Sequence, residues 1–260
     1  MNATSTKNVI ACRPGCIDLP LADALKALKG IGVGSAELDA PHDDDYASLL
    51  EVAQSTHINI STLSVAASAV DTEGVNAIRS AIRGASQIGT PIIFLAARAP
   101  EGGYDAGIKS LQDLGARATD AGVVLSLETH EPFAHNGDIA RRTIEAVNSP
   151  GVRWNYDSAN IYYYNEPGID TVAELRKTLP LVASVHLKDS AKGEPRSFDF
   201  PVFGEGVVDF PEVFRVLAEH GFHGPHTMEL EGPLVDGLSP DEQIAKVKAC
   251  VDYLASIDAI

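Results

Sequence analysis

The sequence predicts an α/β fold, a (β/α)8 barrel built by one domain over residues 1–260. Three observations carry this reading. Eight short apolar, β-branched segments recur along the chain, with amphipathic stretches of helical spacing between them. The 260 residues divided by eight leave about 32 per unit, the size of one strand–helix repeat in a barrel of about 250 residues. No Ser/Gly/Pro-rich linker interrupts the series.

The first strand is NVIAC from Asn8, followed by the amphipathic LADALKALKG. SAELD from Ser35 and NISTLSVA from Asn59 are the second and third, and GVNAIRSAIRGASQIG follows as a helix. PIIFLA from Pro91 is the fourth, with IKSLQDLGARATDAG behind it. VVLSLE from Val123, VRWNYD from Val152, VASVHL from Val182 and HTMEL from His226 complete the set. Such runs suit strands buried on both faces, as in parallel sheets. Gly34, Gly89, Gly122 and Gly151 stand before the second, fourth, fifth and sixth strands and are expected to stop the preceding helices. A doubly wound sheet would show the same alternation, but the first strand–helix turn reads RPGCID and carries no glycine-rich phosphate signature. DSAKGEPRSFDFPVFGEGVVDF from Asp189 is longer than an ordinary strand–helix loop and is expected to be an active-site loop.

Lys and Arg number 20 against 36 Asp and Glu, a net charge of −16. That balance disfavours a nucleic-acid partner, because such binding needs cations to neutralise phosphates. The first twenty residues hold no apolar run of signal-peptide length, and no segment approaches the roughly 18 apolar residues of a membrane span. A soluble, cytoplasmic protein with no membrane partner is therefore expected. Cys12, Cys16 and Cys250 are an odd set without a CxxC pair, which predicts reduced thiols.

In a barrel the chemistry gathers where strands end at their C-terminal side. Four consecutive strands end in a ligand-type residue: Glu128, Asp157, His186 and Glu229, separated by 29, 29 and 43 residues. Alone, each reads as a cap or an ion-pair partner. Together, at one level of neighbouring strands, they predict one divalent metal ion per chain. Three carboxylates and one imidazole suit Mn²⁺, Mg²⁺ or Co²⁺, with Zn²⁺ as a further candidate. Glu37, His130, Asn160, Lys188, Arg196 and Glu205 stand nearby in the sequence pattern as substrate contacts or, equally, surface residues. Tyr162, Tyr163, Tyr164 and Trp154 could wall a sugar pocket or simply pack.

The motifs LSLETH, NYDSAN, VHLKD, FGEGVVDF and MELEG, in this order, resemble the sugar phosphate isomerase/epimerase family, the xylose isomerase-like TIM barrels. The resemblance runs over about residues 8–255. It implies that Glu128, Asp157, His186 and Glu229 are the metal ligands and that Glu128 and Glu229 are the acid/base pair. It also implies that His130, Asn160 and Lys188 touch substrate. A metal-bound carbonyl next to a hydroxyl would favour an enediolate, which the two glutamates form and quench. Endonucleases of the AP-site type are also similar, but they hold three metals through extra histidines. Here the third and fourth strands continue as SVAASAV and FLAARAP, without histidine.

The leading expectation is a metal-dependent isomerase or epimerase of a small sugar, cyclitol or keto acid. A dehydratase of the inosose or 3-dehydroshikimate type uses the same ligands and is the alternative. A noncatalytic sugar-binding or partner subunit is the third reading. The family often forms dimers or tetramers, which leaves a homo-oligomer open.

Overall fold

The computed structural model describes residues 8–260; residues 1–7 of the expected domain lie outside the described ones. Eight parallel strands close into a barrel in sequence order: β1 (Val9–Cys12), β2 (Ser35–Asp39), β3 (Asn59–Ser68), β4 (Ile92–Arg98), β5 (Val124–Glu128), β6 (Val152–Asp157), β7 (Val182–Leu187) and β8 (Pro225–Met228), with β8 paired back to β1. Between and after them come α1 (Leu21–Gly30), α2 (Tyr46–Ser55), α3 (Thr72–Ile88), α4 (Tyr104–Asp120), α5 (Gly137–Val147), α6 (Asn160–Tyr164), α7 (Thr171–Thr178), α8 (Phe210–Glu219) and α9 (Pro240–Ser256). This is the expected (β/α)8 barrel. Among the described residues no helix is long and apolar enough to cross a membrane.

Strand parity divides the core in two. Leu125, Leu127, Trp154, Tyr156, Val185 and Leu187 are buried and face the helices. The Tyr156 hydroxyl, for example, lies 2.7 Å from Thr171 Oγ1 on α7. The alternate residues face the axis, and this inner layer is polar: Thr62, Ser126, Asn155, Ser184 and Thr227 are wholly buried. Ser126 Oγ meets Ser184 Oγ at 2.7 Å, a contact between the non-adjacent β5 and β7 that must cross the barrel interior.

Helix starts follow ordinary capping chemistry. Asn136 accepts from the Ile139 amide at 2.9 Å to open α5, and Asp170 accepts from the Val172 and Ala173 amides to open α7. Gly89 takes the left-handed conformation after α3 as expected, and Gly122 does so just past α4. The other two glycines differ from expectation. α1 is closed by Gly32 rather than Gly34, and α5 by a left-handed Asn148 rather than Gly151. Gly151 is needed for close approach: a Cβ there would stand 2.2 Å from the Gly115 carbonyl oxygen of α4.

The long segment after β7 is held by one buried carboxylate. Asp189 Oδ1 accepts from the amides of Ser190 (2.8 Å) and Val208 (3.1 Å), and Oδ2 from those of Gly204 (2.9 Å) and Gly206 (3.0 Å). A Cβ on Gly206 would fall 2.3 Å from Asp189 Oδ1, so the FGEG stretch is glycine-rich because it wraps this side chain. Replacing Asp189 by Ala strips the acceptor from four backbone amides. Asp189→Ala is expected to lose about 3 kcal/mol or more of stability, read as a lower urea midpoint.

Candidate active site

The barrel brings the four strand-end residues together. Glu128 and Asp157 are the last residues of β5 and β6, His186 is the last but one of β7, and Glu229 is the first past β8. Register pairs Asp157 with His186 and His186 with Thr227, so inward side chains rise to a common level. All four residues are buried, and one ligand atom from each lies within 4.8 Å of the others. His186 Nδ1 stands 3.3 Å from Glu229 Oε2, 3.9 Å from Glu128 Oε2 and 4.0 Å from Asp157 Oδ2.

The orientation of each ligand atom is set from behind. His186 Nε2 lies 3.1 Å from Glu37 Oε2, so this nitrogen carries the proton it donates and Nδ1 turns to the cluster. Phe94 stacks on the imidazole at 4.3 Å. Asp157 Oδ1 accepts from the amides of Ala159 and Asn160, both at 2.8 Å, leaving Oδ2 free. Asn155 and Asn160 donate their side-chain amides to the two oxygens of Glu128. His186 Nδ1 and Asp157 Oδ2 are buried without a hydrogen-bond partner and converge on the same small volume. Two orphaned donors with two more carboxylates beside them form a set that can hold a divalent cation.

Two cations, the buried Lys188 and the half-buried Arg13, offset part of the negative charge. Lys188 Nζ lies 2.6 Å from Glu229 Oε2, 2.7 Å from Glu231 Oε1 and 3.5 Å from Asp157 Oδ2. Arg13 reaches Glu229 Oε1 at 2.6 Å with Nη1, and its Nε lies 3.6 Å from Glu37 Oε1. The carboxyls respond unequally. Burial pushes Glu128 up to about 8, helped by Asp157 and Glu229 and opposed by His186. Asp157 rises to about 6, chiefly by burial. Burial opposes ionisation of Glu229 too, but Lys188, His186 and Arg13 hold it well below the ordinary carboxylate range.

The cluster opens into a cleft of about 390 Å³ lined by Glu128, Glu229, His130, Asn160 and Lys188, among others. His130 leans on the Tyr164 ring at 4.6 Å. Tyr163 and Tyr164 wall this cleft, as do Phe198 and Phe200 from the long loop. Several sequence-selected residues stand elsewhere. Trp154 has the outward parity and is fully buried, with Nε1 donating to the Ala134 carbonyl at 3.2 Å. Tyr162 lies outside the cleft lining, against Gly193 and Val207. Glu37 sits behind His186, orienting it, and does not line the cleft. Arg196 is exposed, tied to Glu131 at 3.0 Å and laid over the Tyr163 and Tyr164 rings. Glu205 is exposed because the turn that Asp189 imposes on its neighbours carries it away.

Sequence reasoning missed Arg13 and Asn155. Both have the inward parity of their strands, Arg13 one residue past β1 and Asn155 two before Asp157. That parity was the available signal.

Residues 25–254 match the family model described as xylose isomerase-like TIM barrel. The chain belongs to that family. It is 28% identical over 196 residues to L-ribulose-5-phosphate 3-epimerase UlaE of Salmonella heidelberg, a match covering 69% of this chain and 63% of that one. The chain thus aligns with less than two thirds of that relative's length. A solved xylose isomerase-like TIM barrel protein of Mycobacterium smegmatis in complex with magnesium has a TM-score of 0.77 at 21% identity, covering 99% of both chains. D-psicose 3-epimerase with D-tagatose, from Clostridium cellulolyticum H10, has a TM-score of 0.76 at 14% identity, covering 95% of this chain and 98% of that one. At such identities the likeness to the two structures is one of fold.

Metal ligands bind deprotonated, so a cation entering this xylose isomerase-like site would have to displace the protons held near neutral pH on Glu128, which burial pushes up, and on His186, which the surrounding carboxylates push up against burial. Calorimetric titration of metal-free protein with Mn²⁺ in buffers of different ionisation heat is expected to show net proton release at pH 7. The affinity should weaken as pH falls from about 8, where Glu128 titrates, toward about 6, where Asp157 does. Glu37→Gln is expected to weaken Mn²⁺ binding by about 10- to 100-fold, because the imidazole loses its orienting carboxylate.

Proposed function

We propose that this protein is a divalent-metal-dependent isomerase or epimerase of a small sugar or related polyhydroxylated carbonyl compound, with Glu128 and Glu229 moving the proton. The observation that carries the reading is the pair of glutamates. They stand on β5 and just past β8, each has an oxygen in the cluster, and both line the cleft. The relative named L-ribulose-5-phosphate 3-epimerase supports a sugar substrate.

A divalent ion at Glu128, Asp157, His186 and Glu229 would act as a Lewis acid on the substrate carbonyl and acidify the neighbouring C–H. The oxygen-rich donor set favours Mn²⁺, Mg²⁺ or Co²⁺, with Zn²⁺ as a further candidate. One glutamate takes the C–H proton, and the other returns a proton to the carbon skeleton. Return to the same carbon from the opposite face gives the epimer; return to the adjacent carbon, with the hydroxyl proton passing to the former carbonyl oxygen, gives the isomer. The Lys188 ammonium, buried beside Glu229, stabilises negative charge developing on a substrate oxygen. Asn155 and Asn160 hold Glu128 in place by its two oxygens, and Arg13 holds Glu229 by Oε1. Tyr163, Tyr164, Phe198 and Phe200 cover apolar C–H surface and keep water from the carbanionic centre.

The test is hydrogen exchange. Mn²⁺-loaded protein in D₂O is expected to place deuterium on a carbon next to the carbonyl of ketopentoses or their 5-phosphates, with product mass otherwise unchanged. Glu229→Gln, kept in excess metal, should lose about 10²- to 10⁴-fold of that exchange while its circular dichroism is retained. Undiminished exchange in Glu229→Gln overturns the acid/base assignment, and a product lighter by one water overturns isomerisation in favour of dehydration.

A further inference from the structure

The cleft contains three cationic side chains, and they are not equivalent. Arg13 is engaged by Glu229, Glu37 and Asp39, and Lys188 by Glu229, Glu231 and Asp157. Arg98 also lines the cleft, yet among the described residues its guanidinium has no carboxylate partner, no hydrogen bond and no aromatic ring beneath it. Its backbone is fixed, for it pairs in register with Ser68 at the end of β4 and its carbonyl accepts from the Ala69 amide at 2.8 Å.

Strand parity decides where Arg98 stands. Phe94, Ala96 and Arg98 share the inward side of β4, and Phe94 is the residue stacked on His186. Arg98 is four residues further on, roughly 13 Å along the strand toward the mouth. Arg13 lies over Phe94 and donates to Ser64 at the deep end, and beyond it the small Ala66 on β3 and Ala96 on β4 line the same cleft as Arg98. β4 and β8 are four strands apart in a closed barrel of eight and so face each other. The cleft therefore carries paired charges on its β8 side, Glu229 and Glu231 with Lys188 and Arg13, and an unpaired cation on its β4 side, Arg98.

We propose that the substrate carries an anionic group at the end remote from its reacting carbons, a phosphate monoester or a carboxylate, and that Arg98 binds it. This rests on the sugar-isomerase reading and narrows its substrate class. With the carbonyl end at Glu128 and Glu229, a short polyol chain runs along the small residues of β3 and β4 and delivers its terminus to the guanidinium. The planar fork of an arginine presents two parallel N–H donors that match two oxygens of either anion. Arg196, a loop cation among the candidate substrate contacts, is occupied by Glu131 outside the cleft.

The experiment compares ligands that differ only at the terminus: D-ribulose with D-ribulose 5-phosphate, and D-fructose with D-fructose 6-phosphate and D-fructuronate. Binding to Mn²⁺-loaded and to metal-free protein is measured by calorimetry for wild type, Arg98→Gln and Arg98→Lys, with exchange in D₂O scored in parallel. At least one anionic member is expected to bind about 10- to 100-fold more tightly than its neutral parent, as a charge-assisted pair allows. Arg98→Gln should erase that preference and Arg98→Lys restore part of it, and the preference should shrink with added salt. A preference for the phosphate esters alone identifies a phosphorylated substrate; one for fructuronate alone identifies a sugar acid. No preference in wild type, or a preference that survives in Arg98→Gln, overturns the inference. Exchange without an Arg98-dependent preference overturns it while leaving the isomerase reading intact. An Arg98-dependent preference without exchange upholds the anion site and overturns the isomerase reading instead.

Discussion

Four carboxylates packed round one buried imidazole are the constraint that the rest of this barrel serves. Glu37, Glu128, Asp157 and Glu229 all approach His186 to within 4.0 Å, and all five residues are buried. Burying an ion costs several kcal/mol, even after the protein relaxes, unless partners compensate it. The sequence supplies them from every direction. Arg13 arrives from β1, Lys188 from β7, and the amides of Asn155 and Asn160 from β6 and α6. Compensation is still incomplete, since Asp157 Oδ2 and His186 Nδ1 make no hydrogen bond and Glu128 is driven up to about 8. A divalent cation would remove the shortfall, which is why the donor chemistry points to one.

The same constraint explains the unusual inner layer. Ser184 donates to Asn155 Oδ1 at 2.6 Å, which turns the amide nitrogen of Asn155 toward Glu128, and Ser126 continues the chain to β5. A purely aliphatic barrel centre would leave Asn155 free to flip, and Glu128 with a lone-pair repulsion in place of a donor. The polar floor and the acidic rim are thus one hydrogen-bonded unit, and the helices outside stabilise it through the separate, apolar parity of the same strands.

The fold was legible because strand and helix periods alternate eight times and nothing else in the chain competes with them. The four acidic and imidazole residues were legible because each ends an apolar strand. Arg13 was not, since its partner Glu229 lies 216 residues away and only closure of β8 onto β1 brings them together. Trp154 and Tyr162 were grouped with the sugar wall on residue type alone; parity and helix position assign them to packing, and leave Tyr163 and Tyr164 at the cleft. Arg196 and Glu205 lie in a loop whose path is dictated by four amides converging on Asp189, a long-range device with no periodic trace. Gly151 was read as a helix stop because glycine serves two ends, and only the approach of α4 to the β6 entry tells them apart.

The central claim is that the cluster at the ends of β5 to β8 is a cation site. Anomalous diffraction from crystals grown with Mn²⁺, recorded on both sides of the manganese edge, tests it most directly. The account predicts one strong peak per chain among His186 Nδ1 and carboxylate oxygens of Glu128, Asp157 and Glu229, with Nε2 of His186 still on Glu37. A cluster without a peak, or manganese bound elsewhere while the cluster stays paired with Lys188 and Arg13, would contradict it.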